Sequence, residues 1–323
     1  AEIRFLLRTS GTTGRRRIVA LSDANVAAVL ASHRGLLPYD DGEVLSVLPW
    51  FHAFGLVMEL LPCLLSRATV FRDPAGGRDP ERLAELLAAP GDGSVLNMVP
   101  FTAEQIAQRD PGLLRGVTGL VGGAPVFADL AEALRGSRLR AGYGQTEAAP
   151  GIAAGEPGEW EAGYLGRALG CEVRIASDGE LAFAGENAFP GYWEGGVLEP
   201  RREMFVPTGD LVKERSGRLF FRGRKNFSFK LSNGRWIFPE QLEAELRVLL
   251  GDEFIVRVSA SPEGGLRLEA DHTPVAEKLR ALAREGELPF TDSMLEIRTL
   301  PPGTLRRDPK GMVVREKRDS ARV

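Results

Sequence analysis

The stretch TSGTTGRRR at residues 9–17 follows the strand-like run IRFLL at residues 3–7. Its small residues leave backbone N–H groups uncrowded, and the hydroxyl groups of Ser10, Thr12 and Thr13 add donors, so the stretch can wrap the oxygens of a polyphosphate. The same composition also suits an ordinary polar turn. The Walker A pattern GxxxxGK[ST] is absent, and this excludes a P-loop nucleotide-binding protein.

The chain after this loop alternates short apolar runs with stretches of helical period. EVLSVLP (43–49) and SVLNMVP (94–100) are typical of strands. SDANVAAVLASHRGLL (22–37) and DPERLAELLAA (79–89) are typical of helices, the second capped by Asp79. This alternation predicts an α/β fold with largely parallel strands.

The pattern changes to short strands and turns from about residue 163. EVRIASDGELAF (172–183) and LVKERSGRLFFRG (211–223) each predict a hairpin, turning at Asp178-Gly179 and at Ser216-Gly217. A β-rich subdomain therefore follows the α/β part. Together they form a predicted large domain over residues 1–223.

The remainder, residues 224–323, predicts a small α+β domain. Its expected elements follow the order helix, strand, strand, helix along the chain. The helices are expected at 239–250 and 274–286, and the strands at 253–261 and 265–271. The domain boundary is predicted near Arg224 to Asn226.

Composition excludes several classes of protein. The formal net charge of the 323 residues is −3 and the basic residues are spread along the chain, so no footprint for nucleic acid stands out. Cys63 and Cys171 have no metal-ligand spacing, and the three histidines form no cluster. The apolar run at 54–65 is too short to cross a bilayer. We therefore expect a cytoplasmic protein without a membrane span or a structural zinc site.

The loop at 9–17 is the first of an ordered series of motifs. The others are PWFHAFG (49–55), GGAP (122–125), YGQTE (143–147), TGD (208–210), GR (223–224), KLSNGRWIFPEQLE (230–243) and a basic tail containing Lys310. The series resembles the adenylate-forming superfamily, which includes acyl-CoA synthetases, firefly luciferase and the adenylation domains of peptide synthetases. The resemblance spans nearly the whole chain from residue 5 onward.

The resemblance implies an activity and its cofactors. Members of the superfamily use ATP and Mg²⁺ to convert a carboxylic acid to an acyl-adenylate, and many then pass the acyl group to the thiol of CoA or of a phosphopantetheine carrier. Their small C-terminal domain is mobile. A small-molecule acid and an acyl carrier protein are therefore the expected partners.

An ATP site is implied by the matching motifs, although YGQTE and TGD alone would be ordinary turns. An aromatic face can stack on adenine, and a carboxylate can accept hydrogen bonds from both ribose hydroxyls. The implied residues are Thr9, Ser10, Gly11, Thr12, Thr13, Gly14 and Arg17 for the phosphates, Gly123, Ala124, Tyr143 and Gly144 for adenine, and Asp210 and Arg224 for ribose. Arg17 stands near the position where the superfamily usually carries lysine, and it keeps the charge but not the compact geometry.

The resemblance also implies catalytic residues. Thr146 would contact the α-phosphate with its hydroxyl, and Glu147 would bind Mg²⁺. Lys230 would act in thioester formation. Lys310 would reach the carboxylate and the α-phosphate during adenylation.

One of these C-terminal assignments, that of Lys310, keeps an alternative. The superfamily usually has glycine directly before the adenylation lysine, whereas DPKG (308–311) has proline before Lys310, so a solvated basic tail is the other interpretation. Asn226 stands at the expected pivot of the small domain. Asparagine tolerates unusual backbone dihedrals, which suits a hinge.

The class of acid is indicated by His52. Adenylation domains that select amino acids carry at this position an aspartate that pairs with the α-amine, and a buried ammonium without a counter-charge is costly. His52, Gly122 and Gly144 are thus the implied substrate residues, and an aryl or fatty acid is favoured over an amino acid. A core or capping role is the alternative for His52.

The position of the loop departs from the superfamily. Its members carry a long subdomain before the phosphate loop that helps to wall the acyl pocket, whereas here the loop begins at Thr9. We interpret the chain as an N-terminally short member, and we expect an exposed apolar face there that invites a second copy or a partner.

A rival hypothesis is a non-catalytic relative that keeps the nucleotide fold as a binding or regulatory subunit. The early loop and Arg17 favour it. Retention of five candidate site residues favours the enzyme instead. They are Thr146, Glu147, Asp210, Arg224 and Lys310.

Overall fold

A computed structural model describes residues 2–9, 17–88, 93–251, 253–286, 288 and 295–315. The chain divides into two compact units. The first comprises Ala1–Thr208 and Val212–Phe221, and the second comprises Gly209–Leu211 and Arg222–Val323. The predicted boundary at residue 223 lies two residues beyond Phe221, where the structure divides the chain. The role of the second unit as a mobile lid stays a prediction.

The first unit contains both helices and strands. Its helices are α1 (Asp23–His33), α2 (Ala53–Gly55), α3 (Leu61–Ser66), α4 (Pro80–Ala88), α5 (Pro100–Arg109) and α6 (Ala128–Leu134), with a π-helical turn at Leu56–Leu60 and 3₁₀ turns at Pro111–Arg115 and Thr146–Ala148. The strands up to the end of the first unit are β1 (Ile3–Arg8), β2 (Ile18–Ser22), β3 (Glu43–Ser46), β4 (Thr69–Arg72), β5 (Thr118–Gly122), β6 (Arg138–Tyr143), β7 (Ala153–Ala154), β8 (Tyr164–Ala168), β9 (Glu172–Ile175), β10 (Glu180–Ala184), β11 (Gly191–Glu194), β12 (Val197–Pro200), β13 (Val206–Arg215) and β14 (Arg218–Arg224).

The predicted parallel sheet is present. β3 pairs in parallel with β4, and β5 pairs in parallel with β6. Parallel bridges join Val95 to Val44 in β3 and to Thr118 in β5. The run SVLNMVP, predicted as a strand, is thus held between β3 and β5 by single bridges rather than by a continuous ladder.

This sheet has apolar cores on both of its faces. Neighbouring residues of one strand belong to different clusters: Val44 and Val95 pack in one, whereas Leu45 and Leu96 pack in the other. Successive side chains of a strand point to opposite faces, so the alternation places a core on each side. Sheets of parallel strands are usually buried in this way.

The β-rich part continues the same sheet and adds a second one. The larger sheet has the order β5-β6-β7-β8-β14-β13-β10-β9, and the other has the order β1-β2-β11-β12. Both predicted hairpins are confirmed. β9 and β10 are joined at Asp178-Gly179, and β13 and β14 at Ser216-Gly217, where positive φ angles at Gly179, Ser216 and Gly217 make the tight turns.

Helix α1 begins as predicted and ends earlier than predicted. Ser22 and Asn25 form a reciprocal cap, in which the Ser22 Oγ accepts from the Asn25 N–H and the Asn25 side chain accepts from the Ser22 N–H. The helix stops at His33 rather than at residue 37. Gly35, with φ of +84°, turns the chain away.

The second unit is the predicted small α+β domain. Its helices are α7 (Pro239–Leu250) and α8 (Thr273–Glu285), and its strands are β15 (Phe229–Lys230), β16 (Trp236–Ile237), β17 (Val256–Ala260), β18 (Leu266–Ala270) and β19 (Leu295–Thr299). β17 and β18 are antiparallel, and β19 joins β18 in parallel. β19 was not predicted. Apolar residues of α7, α8 and the strands form one core, which includes Leu246, Leu279 and Leu268.

Candidate functional site

The GGAP and YGQTE motifs lie side by side in the first unit. β5 ends at Gly122 and β6 at Tyr143, and the two strands are parallel with Gly122 opposite Gly142. The loops after both strands therefore leave the sheet at the same edge. In sheets of this type, that edge is where ligands bind.

The glycines of these two motifs permit close backbone approach. A Cβ atom on Gly122 would lie 2.3 Å from the carbonyl oxygen of Gly142, and one on Gly144 would lie 1.4 Å from the carbonyl oxygen of Pro150. Gly123 has a φ of +87°. No side chain fits at these positions, so the bare surface beside Tyr143 is a requirement of the fold as well as a possible ligand platform.

A small cavity of about 40 Å³ opens at this edge. Gly122, Gly123, Tyr143 and Gly144 line it together with apolar and aromatic side chains. The other lining residues are His33, Phe54, Met58, Leu120, Gly142, Pro150 and Ala153. The structure thus gathers four of the predicted adenine and substrate residues around one cavity.

A larger cavity of about 490 Å³ adjoins the small one. The two share His33, Met58 and Leu120 in their walls. The rest of the larger cavity is lined by Leu30, Ala31, Arg34, Gly35, Leu36, Leu37, Tyr39, Asp40, Val57, Pro62, Leu65 and Ser66. Its lining is mostly apolar and contains room for a ligand far larger than the small cavity admits.

His33 was not selected from the sequence, although it contributes to both cavities. Its Nδ1 lies 3.0 Å from the carbonyl oxygen of Val29 and 3.0 Å from the Oγ of Ser32. Burial lowers the pKa of His33. A neutral imidazole is thereby favoured at the junction of the cavities. No sequence motif surrounds it, so only the packing of α1 against the sheet identifies it.

His52, the predicted substrate residue, lies elsewhere. It is exposed, it precedes α2 as the capping residue, and its ring lies 4.5 Å from the ring of Phe51. Phe54, two residues later in the same motif, is the side chain that lines the small cavity. The role of His52 in binding substrate stays a prediction.

The structure describes the two ends of the predicted phosphate loop, Thr9 and Arg17. The Thr9 N–H donates to the Arg17 carbonyl at 3.0 Å, and the Arg17 N–H donates to the Thr9 hydroxyl at 3.2 Å, which closes the base of the loop. The predicted residues between them lie outside the described residues. They are Ser10, Gly11, Thr12, Thr13 and Gly14.

Tyr192 connects the base of this loop to Glu147. Its hydroxyl donates to the Glu147 Oε1 at 3.0 Å, and the Arg17 guanidinium lies 3.2 Å from the centre of its ring. Arg17 also lies 3.8 Å from a carboxylate oxygen of Glu194. Burial and the charge of Glu147 raise the pKa of Tyr192, which stays a phenol at neutral pH.

Sequence reasoning missed Tyr192 because its partner Glu147 lies 45 residues away along the chain. The backbone repeats the link, since the Phe189 N–H donates to the Glu147 carbonyl at 2.9 Å. Thr146 and Glu147 themselves start a 3₁₀ turn directly after β6. The segment 189–192 thereby orients the Glu147 carboxylate towards the Arg17 end of the loop.

The Tyr192→Phe variant tests this link. It removes one hydrogen bond to a carboxylate and keeps the ring under Arg17, so we expect the Kd of Mg·ATP to rise by about tenfold, the range for a hydrogen bond to a charged group. Isothermal titration calorimetry with and without Mg²⁺ measures it. Tyr39→Phe, which removes another buried hydroxyl, is the control. An unchanged Mg²⁺ dependence would contradict the assignment.

The second unit brings together three predicted site residues. Asp210 is 3% exposed, and its Oδ1 lies 2.8 Å from the Arg224 Nε. Lys310 lies close enough to both for their charges to act on it. Burial lowers the pKa of Lys310, the carboxylates of Asp308 and Asp210 oppose this change, and the charge of Arg224 adds to it.

Lys310 lies in a closed turn. The Asp308 Oδ1 accepts from the Lys310 N–H at 2.9 Å and from the Met312 N–H at 3.0 Å. Gly311, with φ of +83°, completes the turn and donates to the Asp308 carbonyl at 2.9 Å. The DPKG sequence therefore holds the lysine in a closed turn, within range of the charges of Asp210 and Arg224.

The other C-terminal candidates, Lys230 and Asn226, are exposed. Lys230 is exposed in β15, with its Nζ 5.6 Å from the centre of the Trp236 ring. Asn226 lies in a turn in which the Arg224 carbonyl accepts from the N–H groups of Phe227 and Ser228. Asn226 is not one of the described residues that have a positive φ angle. The hinge and thioester roles stay predictions.

Comparison with known proteins agrees with this fold. The profile of a family described as AMP-binding enzyme matches residues 1–193. The chain therefore belongs to the AMP-binding enzyme family.

Its relatives include several acid–CoA ligases. A feruloyl-CoA synthase from an Amycolatopsis species is 30% identical over 76% of this chain and 54% of that protein. A long-chain-fatty-acid–CoA ligase from Mus musculus is 26% identical over 75% of this chain and 44% of that protein. The chain thus spans about half the length of these curated relatives.

The fold is shared with solved structures. An O-succinylbenzoate Coenzyme A synthetase from Bacillus subtilis, in complex with AMP, superposes with a TM-score of 0.78 at 22% identity, over 99% of this chain and 70% of that one. In the parts of the present chain that the structure describes, no helix is both long enough and apolar enough to span a membrane.

Proposed function

We propose that the protein uses ATP to activate a carboxylic acid as its adenylate and then transfers the acyl group to the thiol of CoA or of a phosphopantetheine carrier. The observation that carries the proposal is the grouping of Asp210, Arg224 and Lys310 in the second unit. Adenylate formation requires a carboxylate for the ribose, a guanidinium beside that carboxylate, and a cation for the charge that develops on the α-phosphate.

Each of these residues has a role in the proposal. Asp210 accepts hydrogen bonds from the ribose hydroxyls, and Arg224 orients Asp210 and donates to the same sugar. Lys310 places its ammonium between the acid's carboxylate and the α-phosphate. This charge stabilises the transition state as negative charge gathers on the α-phosphate and pyrophosphate leaves.

Magnesium fits the residues of the first unit. Glu147 offers a carboxylate that Tyr192 already orients, and Mg²⁺ commonly binds one or two carboxylates together with the phosphates of its nucleotide. The ion would neutralise charge on the phosphate chain. Thr146, the residue before Glu147, would donate its hydroxyl to the α-phosphate.

The acid is proposed to be an aryl or fatty acid without an α-amine. The small cavity has no acidic side chain among the described residues that line it, and an α-ammonium there would lack a counter-charge. The larger cavity is mostly apolar and suits the tail of an aliphatic acid. The names of the curated relatives, feruloyl-CoA synthase and long-chain-fatty-acid–CoA ligase, agree with both kinds of acid.

Carboxylate-dependent ATP–pyrophosphate exchange tests the proposal. Ferulate, decanoate and phenylalanine would be compared, with ATP alone as the blank. Exchange with ferulate or decanoate supports the proposal, and a clear preference for phenylalanine contradicts the acid class.

A non-catalytic, nucleotide-binding relative is the second candidate. The observation that favours it is the engagement of Arg17 by Tyr192 and Glu194, at the position where the family usually carries lysine. Binding of ATP without any exchange would support this candidate.

The expected association of the chain with a second copy or a partner also stays a prediction. The first unit exposes the apolar side chains of Phe51, Leu64 and Leu65.

Filling the larger cavity is expected to change the preferred chain length. Ala31 lies on α1, is exposed, and lines that cavity. Ala31→Trp should lower exchange with dodecanoate relative to butyrate by about tenfold, because each buried methylene contributes about 0.8 kcal/mol and the indole displaces about two. Ala27→Trp, one turn earlier on the same helix, is the matched control. Equal ratios in both variants would exclude the cavity as the tail site.

A further inference from the structure

A fully buried carboxyl group lies next to the proposed acid pocket and has no role in the chemistry above. Glu59 is 0% exposed and lies in the π-helical turn Leu56–Leu60. Burying such a group is costly unless it is hydrogen-bonded or paired. Single π-helical turns within α-helices often occur at functional sites.

The contacts of Glu59 reach three separate segments. The Oε1 atom accepts from the Ser46 hydroxyl at 2.5 Å and from the Trp50 Nε1–H at 2.8 Å. A guanidinium nitrogen of Arg72 lies 3.9 Å from the same oxygen. Glu59 thereby joins its own helix to the end of β3, to the PWFHAFG motif and to the end of β4.

Arg72 closes this network. It donates to the Ser46 hydroxyl and to the Leu48 carbonyl, each at 2.6 Å, and its guanidinium lies 4.9 Å from the centre of the Trp50 ring. The charge of Arg72 is therefore shared between Glu59 and the start of the motif. Loss of the Glu59 charge would loosen both ends of the network.

One acceptor atom of the Glu59 carboxyl group is not used in this network. The second carboxyl oxygen of Glu59, Oε2, is buried and accepts no hydrogen bond from the residues that the structure describes. Burial raises the pKa values of the nearby Tyr39 hydroxyl and Cys63 thiol, and the charge of Glu59 adds to both changes.

The helix that carries Glu59 also forms the walls of the cavities. Phe54 lines the small cavity, Val57 lines the large one, and Met58 lines both. Met58 is the neighbour of Glu59. Its carbonyl also accepts from the Asn97 side chain at 2.9 Å, so this turn of the helix is held on two sides.

We propose that Glu59 is a positioning residue for the acid. Through Ser46, Trp50 and Arg72 it fixes the helix at residues 53–66, and it thereby sets where Met58 and Phe54 meet the substrate. The proposal rests on the proposed function, because the occupant of the cavities is taken to be the carboxylic acid.

The Glu59→Gln variant separates positioning from stability. It keeps the size and one acceptor oxygen and removes the charge. The KM for decanoate in pyrophosphate exchange should rise by about tenfold, as expected when a charge-assisted hydrogen bond no longer holds the wall, whereas the KM for ATP stays within about twofold.

Glu243→Gln is the matched control. Glu243 is also buried, burial raises its pKa to about 7, and it pairs with Arg315 in the second unit. The Glu243→Gln variant should lower Tm about as much as Glu59→Gln does, and it should leave the KM for decanoate unchanged. Equal effects of the two variants on this KM, or a parallel rise in the KM for decanoate and for ATP, would overturn the proposal.

The pH profile gives a second readout. Burial raises the pKa of Glu59 to about 7, against the opposing hydrogen bonds of Ser46 and Trp50 and the charge of Arg72. The charged form holds the network, so the KM for decanoate should rise as the pH falls through about 7. In Glu59→Gln this dependence should be absent.

Tryptophan fluorescence tests the network without any activity. The chain has four tryptophans, and the difference between the parent and Trp50→Phe isolates the emission of Trp50. This emission should titrate with a midpoint near 7 and should not titrate in Glu59→Gln. A flat profile in the parent overturns the proposal. If the parent titrates but shows no exchange, the proposed function fails while the coupling of Glu59 to the motif stands.

Discussion

Replacing Lys310 by alanine is expected to lower acyl-adenylate formation by about 10²–10³-fold, the range for losing one charge that stabilises a transition state. Lys310 is held in the turn closed by Asp308, within range of the charges of Asp210 and Arg224. Its ammonium would face the charge that develops on the α-phosphate. Exchange of pyrophosphate with decanoate and ATP measures this half-reaction.

The second half-reaction shows whether Lys310 acts in one step only. Synthetic decanoyl-adenylate with CoA bypasses adenylation, and the Lys310→Ala variant should form the thioester at a rate close to that of the parent. Lys278→Ala removes an exposed lysine of α8 and is the control. An equal loss in both half-reactions would make Lys310 a structural residue and would contradict its proposed role.

Replacing Asp210 by asparagine is expected to weaken ATP binding by about 1.5–3 kcal/mol, the range for hydrogen bonds that involve a charged group. The carboxylate is buried and lies 2.8 Å from Arg224. Asparagine keeps the shape but offers the ribose a single weaker acceptor. Calorimetric titration with ATP in a folded variant measures the change.

A cycle with 2′-deoxy-ATP assigns this loss to the sugar. If Asp210 accepts from the ribose hydroxyls, the parent should lose affinity for the deoxynucleotide, and Asp210→Asn should lose little more. Asp271→Asn alters another buried aspartate of the second unit, which accepts from the Leu305 N–H at 3.0 Å, and serves as the control. Additive losses would show that Asp210 does not bind the ribose 2′-hydroxyl and would contradict the assignment.

Local signals in the sequence predicted both hairpins and the helices α1, α4, α7 and α8, but not α2, α3, α5 or α6. Asp79 accepts from the N–H groups of Glu81 and Arg82 at the start of α4, as its position before a helical run indicates. Gly179 and Gly217 turn the two predicted hairpins. The end of α1 was missed because a positive φ at Gly35 depends on where the chain must go next.

Local signals were weaker for pairing between distant strands. β19 was not predicted, because the short run LEIRT has no partner until β18 is placed beside it. The run around Val95 was predicted as a strand, yet it is held by bridges on both sides rather than by a full ladder. Strand propensity depends strongly on neighbours that the sequence does not name.

The sequence by itself determined the family, the α/β and α+β units, and the candidates Glu147, Asp210 and Lys310, because each rests on a short motif whose chemistry is local. Only the tertiary structure decided that Lys310 comes within range of the charges of Asp210 and Arg224, that Tyr192 binds Glu147, and that Glu59 is buried next to Met58, which lines both cavities. These contacts join residues far apart in the chain. Their existence depends on the burial and packing that bring the segments together, and no local pattern encodes that distance.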